Sequence, residues 1–295
     1  MEWTGGPLTV GHEVLPDQME IDPKTGRVRP IQAARHEVGL WMMDLNILAN
    51  LGITKRLDIR IRMPIRYVQV SARFLDDAQK ELQDFVSIHH RDETLVGPGD
   101  PTVQLGVRLL RPTRRKRWLL ESSGGLSIPL GRIEPDPYKA GRKGEKHQHI
   151  MFGSGTFDLI ATATAGYVHP NWQLFLNLIG QGSFYENSFG LRRGLQLRAA
   201  LTAESRFGLK NWAFQAQAAF SIQQPGLWSG QVDPDAASGR KDLFFTLGTM
   251  WRPNQTMQIS LRCTIPVNLA LEGGELNHPL IVSLGFQKQF RIFGK

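Results

Sequence analysis

The chain has 295 residues, 41% of them hydrophobic and 21% charged, with 30 glycines and 17 prolines. This composition is typical of short elements joined by turns, and aromatic and β-branched residues throughout exclude a disordered chain. The single cysteine, Cys263, excludes an internal disulfide framework. A net charge of +8 invites nucleic-acid binding, but apart from the run at 114–117 the cations are scattered over loops and apparent strands, so we expect no nucleic-acid partner.

Two features bear on export and membrane insertion. No stretch approaches the roughly 18 consecutive apolar residues of a membrane-spanning helix. Residues 1–7 carry neither the basic start nor the apolar segment of a secretory signal peptide. For an exported protein this leaves two alternatives: the numbered chain begins after processing, or the true start lies upstream of Met1.

Alternating apolar and polar residues predict β-strands along most of the chain. In 57–66 the apolar Leu57, Ile59, Ile61, Met63 and Ile65 alternate with Asp58, Arg60, Arg62, Pro64 and Arg66. A period of two places one set on each face of a strand, whereas helical spacing would mix arginines with isoleucines. We predict eleven strands, at 40–51, 57–66, 103–109, 120–130, 157–164, 173–178, 195–204, 214–223, 243–252, 257–265 and 280–287.

An even barrel needs a twelfth strand, which we expect between Thr9 and Ala34. It would lie in an N-terminal extension of residues 1–35, ahead of a β-barrel domain of residues 36–295. The links between strands alternate between short, as at 52–56 or 169–171, and long, as at 71–99 or 132–154. A soluble β-sandwich also has alternating residues but no reason for alternating links. We therefore predict a closed antiparallel up-and-down transmembrane β-barrel of about 12 strands, with short periplasmic turns and long external loops, in the bacterial outer membrane.

Four tryptophans support the same fold. Trp118, Trp172, Trp212 and Trp251 each stand beside a short link, and each shares the parity of the apolar residues of its strand. Outward-facing tryptophans at one rim form an aromatic girdle at the membrane–water interface. We predict that these four residues lie at that interface, in contact with outer-membrane lipid.

The polar faces of the strands then line an interior. Charges on the lipid face cost about 2–4 kcal/mol each near the bilayer midplane, so the strand charges must face the lumen. A twelve-stranded barrel lies between barrels filled by side chains and open porins, so a narrow lumen is expected. The predicted pore-lining residues are Asp44, Asp58, Arg60, Arg62, Arg66, Arg108, Glu121, Asp158, Arg198, Glu204 and Arg262.

Other candidate chemistry is sparse. The pairs His89–His90 and His147–His149 lie in long loops without a third ligand, so we expect no metal site and no cofactor. No histidine falls within a predicted strand to activate a serine, so we expect no enzymatic activity. Phe74, Ala78, Leu82 and Phe85 have helical spacing and predict an amphipathic helix over 72–86, packed on the barrel mouth or acting as a gate.

Four short motifs occur in an order that resembles a known family. They are 51–57 (LGITKRL), 99–108 (GDPTVQLGVR), 125–131 (GLSIPLG) and 153–158 (GSGTFD). In this order they resemble the outer-membrane transporters named after the phenol-degradation meta-pathway, from about Leu40 to the C-terminus. The sequence departs from that pattern at Leu130, where the family usually has a hydroxyl or small residue, and in lacking the export signal. The resemblance implies an outer-membrane barrel and leaves the transported molecule unassigned.

Two functional hypotheses follow. The first is a passive channel or transporter for a small solute in the lumen, with the lumen arginines favouring anions or polar aromatic compounds. The alternative is a non-conducting barrel, filled by inward ion pairs, that scaffolds a protein partner or extracellular assembly through loops 71–99 and 132–154.

Overall fold

The computed structural model describes the whole chain except residues 14–18, 22–24, 31–34, 77, 79, 82–90, 114, 144, 148, 233–238, 272–274, 278–279 and 291–295. Its strands are β1 (Glu2–Glu13), β2 (Met19–Ile21), β3 (Val28–Pro30), β4 (Arg35–Gly52), β5 (Leu57–Leu75), β6 (Glu93–Pro98), β7 (Thr102–Leu110), β8 (Trp118–Ser127), β9 (Leu159–Val168), β10 (Trp172–Gly182), β11 (Leu191–Arg192), β12 (Gln196–Ser205), β13 (Trp212–Gln223), β14 (Leu227–Trp228), β15 (Arg240–Asn254), β16 (Met257–Leu271), β17 (Glu275–Asn277) and β18 (Ile281–Lys288). A short helix, α1, spans Pro137–Arg142.

One antiparallel sheet closes on itself. β1 pairs with β4 along its whole length and with β18 through Glu2–Gly5, while the other barrel strands connect β4 to β18 in sequence order. β6 and β7 pair with successive parts of β5 and together occupy one position in the wall. Over the described residues the ring has twelve positions, which confirms the predicted closed barrel.

The twelfth strand is β1, which begins at Glu2 rather than at Thr9 or beyond as predicted. Its Gly5, Gly6 and Pro7 have low strand propensity and interrupt the alternating pattern, so the sequence conceals it. Within the barrel β1 is held by neighbours on both sides, since it registers against twelve residues of β4.

The two ends of the barrel differ in their links. The turns at 53–56, 111–117, 169–171, 206–211 and 255–256 all lie at one end, where the backbone of Met1 also pairs with Phe286. We call this the short-turn end, and the opposite one the long-loop end. At the long-loop end β11 pairs with β14, which ties the link after β10 to the link after β13. The predicted alternation of short and long links is therefore confirmed.

The outward faces of the strands are apolar. Large apolar side chains such as Leu105, Leu197, Leu247 and Leu284 are half exposed or more, and the opposite parity carries the polar residues. A soluble protein would bury such a continuous apolar surface. An apolar exterior around a polar interior is the arrangement of a transmembrane barrel.

β5 reverses this arrangement partway along its length. From Leu57 to Ile65 the outward residues are apolar, and from Tyr67 to Arg73 they are polar, while the inward residues change from charged to Val68, Val70 and Phe74. The lipid-facing band therefore ends near Tyr67, and the rest of β5 stands beyond the hydrocarbon with an apolar inner face. β5 has 19 residues and β9 has 10, so the wall is uneven in height.

The helix predicted over 72–86 is wrong over 72–75, because these residues continue β5 and Phe74 points inward. Residues 82–86 lie outside the described part of the chain. The period-two pattern of β5 continues beyond the predicted end of the strand. The sequence did not reveal this continuation because the apolar and polar faces of the strand exchange sides at Val68.

Among the described residues, no helix is long and apolar enough to cross a membrane.

A charge on the lipid-facing surface should destabilise the barrel, whereas the same charge beyond the membrane should not. Leu247 points outward near the middle of β15 and is 71% exposed. We expect Leu247→Arg to lower the free energy of unfolding by about 2–4 kcal/mol in phospholipid vesicles, measured by denaturant titration. Gln69→Arg, on the outward face of β5 beyond Tyr67, is the matched control and should change stability little. Equal losses for both variants would contradict the assigned membrane boundary.

Candidate channel lumen

Inward-facing side chains of three strands, β5, β7 and β8, form a cluster of ion pairs. The Nε of Arg60 lies 2.6 Å from Oδ1 of Asp58, and its Nη2 lies 3.2 Å from Oε2 of Glu121. Arg108 donates from Nε to the other oxygen of Glu121 at 2.5 Å. Gly106 gives this cluster its space, because a Cβ there would stand only 2.4 Å from Oδ1 of Asp58. These charges are therefore paired with one another along the wall formed by β5, β7 and β8.

Other predicted residues form separate pairs around the wall. Arg66 lies 3.3 Å from Asp44, and Arg252 lies 3.0 Å from Glu204. Arg262 pairs with Glu2 across β18. Partly buried pairs of this kind mainly satisfy each other, so they contribute little free charge to the interior.

Two predicted lumen arginines lack such a partner. Arg62 donates from Nε to the side-chain oxygen of Asn46 at 2.7 Å, and Arg198 lies over the ring of Phe244, 5.0 Å from its centroid. Neither forms an ion pair within the described residues, and both face inward, from β5 and from β12 on the other side of the ring. Among the predicted lumen arginines, these two guanidinium groups are the ones without a carboxylate in ion-pair contact in the described part of the chain.

The link between β8 and β9 folds into the mouth of the barrel. Phe152 is 4% exposed and packs on the apolar inner face of the tall wall, against Val38, Val68, Val70 and Leu95. Gly97 permits this contact, since a Cβ there would meet the Phe152 ring at 3.2 Å. The link therefore narrows the entrance at the long-loop end.

Polar anchors hold the same link in place. Asp100 accepts hydrogen bonds from the backbone N–H of Gly131 at 2.9 Å and of Ser154 at 2.6 Å. Arg193 donates to the carbonyl oxygen of Gly153 at 2.7 Å. Burial lowers the pKa of the Arg193 guanidinium, while Asp100 and Asp158 oppose that shift. The link is thus fixed at both of its ends.

Asp158 is placed differently from the other predicted pore-lining residues. It is 1% exposed and accepts hydrogen bonds from Thr156 at 2.6 Å, Ser183 at 2.6 Å and Gln181 at 3.1 Å. Its side chain has the inward parity but is enclosed where the link leaves the wall. It stabilises the base of the link rather than facing open water.

The loop histidines are partly described. His147 is buried, its Nδ1 donates to the carbonyl oxygen of Glu145 at 2.8 Å, and its ring lies 5.0 Å from that of His149. Burial lowers the pKa of His147, and the charge of Arg91 acts in the same direction. His89 and His90 lie outside the described residues. In the described part of the chain, no group of three metal-ligating side chains occurs.

The four predicted interface tryptophans all lie at the short-turn end and are all exposed. Trp118 packs edge-on against Tyr167, whose ring stacks on Trp172 at 5.3 Å. Trp212 and Trp251 are paired across β13 and β15 with ring centroids 6.3 Å apart. Together they form two aromatic clusters on the outer surface of this rim.

Sequence reasoning missed Glu2, Asp100, Arg193 and Arg252. Glu2 was missed because the start of β1 was not located. Arg252 could have been predicted to face inward, because it lies on the same face of its strand as Met250. Asp100 belongs to a motif noted above, although its role as an anchor depends on a loop partner 31 residues away. Nothing in the sequence around Arg193 indicates its contact with Gly153.

Removing the Phe152 ring should release the link. Deleting a buried phenylalanine costs about 3–5 kcal/mol in a packed core, and here the cost falls on docking of the link rather than on the barrel. We expect Phe152→Ala to speed tryptic cleavage within 132–149 while the barrel keeps its heat-modifiable migration on gels. Leu130→Ala, which removes an exposed side chain of the same link, is the control. Unchanged cleavage of Phe152→Ala would disprove the docking.

Acid should loosen the same link. In the docked link burial lowers the pKa of His147, whereas the released link has a histidine of ordinary pKa, near 6.5. Docking is therefore full above about pH 6.5 and weakens as pH falls below it, since the released form binds the proton more tightly. The ratio of cleavage rates, wild type over His147→Asn, cancels the protease's own pH dependence. This ratio should rise between pH 7.5 and 5.5; a constant ratio would exclude His147 as the cause.

The chain is similar to several solved structures. The COG4313 outer membrane channel from Pseudomonas putida F1 is 14% identical, with 97% of this chain and 94% of that chain covered and a TM-score of 0.57. The NanC porin is 6% identical, with coverages of 96% and 99% and a TM-score of 0.43. The P. putida toluene transporter TodX is 9% identical, with coverages of 99% and 91% and a TM-score of 0.43.

No protein-family model and no curated protein sequence matches the chain. At 14% identity, the likeness to the COG4313 channel is one of fold: this chain has the fold of an outer-membrane β-barrel.

Proposed function

We propose that the chain is a passive channel of the bacterial outer membrane that admits small solutes and prefers anions. The observation that carries this proposal is the pair of lumen arginines, Arg62 and Arg198, that lack a carboxylate partner within the described residues. A filled, purely structural interior would be expected to neutralise its cations, as the walls do around Glu121. The protein is an integral membrane protein without enzymatic activity or a cofactor in this proposal.

The geometry supports a narrow passage. A ring of twelve strands leaves more space than an eight-stranded barrel, whose interior side chains fill, and most of its charges are paired with one another. The inward link at Phe152 then limits the entrance at the long-loop end. Such a channel excludes large solutes by size and selects among small ones by charge.

The positions of the free cations indicate which solutes are favoured. Arg62 and Arg198 come from strands on different sides of the ring, so an anion passing between them meets positive charge from both. The ring of Phe244 beneath Arg198 adds an aromatic surface at the same place. A small carboxylate, including one attached to an aromatic ring, fits this chemistry.

The resemblance to transporters named after the phenol-degradation meta-pathway belongs to the same proposal. Its motif at 99–108 contains Asp100, which holds Gly131 and Ser154 of the next two motifs. Three motifs that are separate in sequence therefore meet in one structural unit at the mouth. This physical dependence supports membership of that family without naming a solute.

Ion selectivity tests the proposal directly. In planar bilayers under a KCl gradient, the wild type should show a reversal potential of anion-selective sign. Arg62→Glu should shift this potential toward cation selectivity, because charge in a narrow passage repels ions of like sign. Arg73→Glu makes the same change on the outer face of β5, 62% exposed to solvent, and is the matched control.

Each result has a clear reading. A shift with Arg62→Glu but not with Arg73→Glu supports a conducting lumen lined by Arg62. Absence of any current from folded protein would reject the channel and favour the non-conducting scaffold with its long external links. Equal shifts from both variants would show that the selectivity comes from surface charge at the mouth.

A further inference from the structure

The short-turn end carries charge of one sign. Its five turns, at 53–56, 111–117, 169–171, 206–211 and 255–256, contain no aspartate or glutamate. They contain nine lysines and arginines, and the eight that the structure describes are called the basic rim: Lys55, Arg56, Arg111, Arg115, Lys116, Arg117, Arg206 and Lys210. The net charge of the whole chain is +8, so this rim accounts for the excess of cations.

The long-loop end is different. Residues 76–92 alone contain five acidic residues against two cations, and residues 128–158 mix both signs. The charge asymmetry between the two ends is therefore not a general property of the loops. The basic end is also the end that carries the two aromatic clusters.

The basic rim is open to solvent and lacks acidic partners. The ninth cation of the turns, Arg114, lies outside the described residues; of the eight in the rim, all but the half-buried Arg117 are exposed. None of these eight forms an ion pair with a carboxylate in the described part of the chain, whereas the lumen arginines are mostly paired. A folded protein that leaves so many cations unpaired on one rim presents them to an external anion.

The rim lies at the edge of the lipid-facing surface. Arg117 directly precedes Trp118, and Lys210 comes two residues before Trp212, so the cations adjoin the two aromatic clusters. Turns of two to seven residues cannot extend far from the strands. The cations are thus held at the depth where tryptophan marks the boundary between hydrocarbon and headgroups.

The cations also occur on opposite sides of the ring, with six of the eight described ones at the β4–β5 and β7–β8 turns and two at the β12–β13 turn. Lys55 and Arg56 join β4 to β5, the 111–117 turn joins β7 to β8, and Arg206 and Lys210 join β12 to β13. A protein partner would contact one side of the barrel, whereas lipids surround it. The distribution therefore favours lipid over an acidic protein.

We propose that the basic rim binds anionic phospholipid headgroups in the leaflet at the short-turn end. The phosphodiester accepts hydrogen bonds and charge from lysine and arginine, while the acyl chains lie along the apolar strand faces below the tryptophans. This interaction orders a shell of acidic lipid around the barrel and fixes its depth in the membrane. It depends on the membrane-spanning fold and not on whether the lumen conducts.

Native mass spectrometry of the detergent-solubilised full-length protein tests the proposal. The probes are phosphatidylglycerol and phosphatidylcholine with identical acyl chains, added in equal amounts. The rim variant combines Lys55→Gln, Arg111→Gln and Lys210→Gln. The control variant combines Lys80→Gln, Lys143→Gln and Lys146→Gln, which removes three exposed cations from the long-loop end. Heat-modifiable migration on gels verifies that both variants are folded.

The wild type should retain phosphatidylglycerol in preference to phosphatidylcholine. In the rim variant the ratio of retained phosphatidylglycerol to phosphatidylcholine should fall by at least about fivefold. A fall of that size is expected from the loss of one cation near an acidic headgroup. The control variant should keep the preference of the wild type. Equal retention of the two lipids by the wild type, an unchanged preference in the rim variant, or equal losses in both variants would overturn the proposal.

Discussion

Hydrocarbon on the outside and water on the inside impose one constraint on every strand of this protein. Apolar side chains must face outward and polar ones inward, and every backbone N–H and C=O within the membrane must be paired with a neighbouring strand. The first requirement produces the alternation of apolar and polar residues along the strands. The second requires that the sheet have no open edge, which the pairing of β1 with both β4 and β18 provides.

This constraint explains how much the sequence could predict. Strand parity at 57–66, the alternation of links and the side of each tryptophan follow from local patterns. β1 was placed too late because its glycines and proline weaken the pattern, and its place depends on residues about 280 positions away. The inward link at Phe152 was not predicted, since its docking surface is built from Val38, Val68 and Leu95 of three separate strands. The second half of β5 was not predicted, because its apolar and polar faces exchange sides at the membrane boundary.

The inward-facing arginines have two kinds of partner. Arg60, Arg108 and Glu121 satisfy one another against the wall and make it polar without giving it a strong field. Arg62 and Arg198 are held by an amide oxygen and an aromatic ring, which position a guanidinium without neutralising it. Because Coulomb forces are weakly screened in a narrow space, in the proposed channel the second group would have more influence on a passing ion than its number suggests.

The seam between β1 and β18 also affects how the barrel is made. The backbone of Met1 pairs with Phe286, so the contact that closes the cylinder joins segments 285 residues apart in the sequence. Forming a contact over that separation carries a large loop-closure entropy, so hairpins such as β9–β10 can form long before it. We therefore expect β1 and β18 to meet last, and until then the incomplete sheet exposes two unpaired edges that need protection from aggregation.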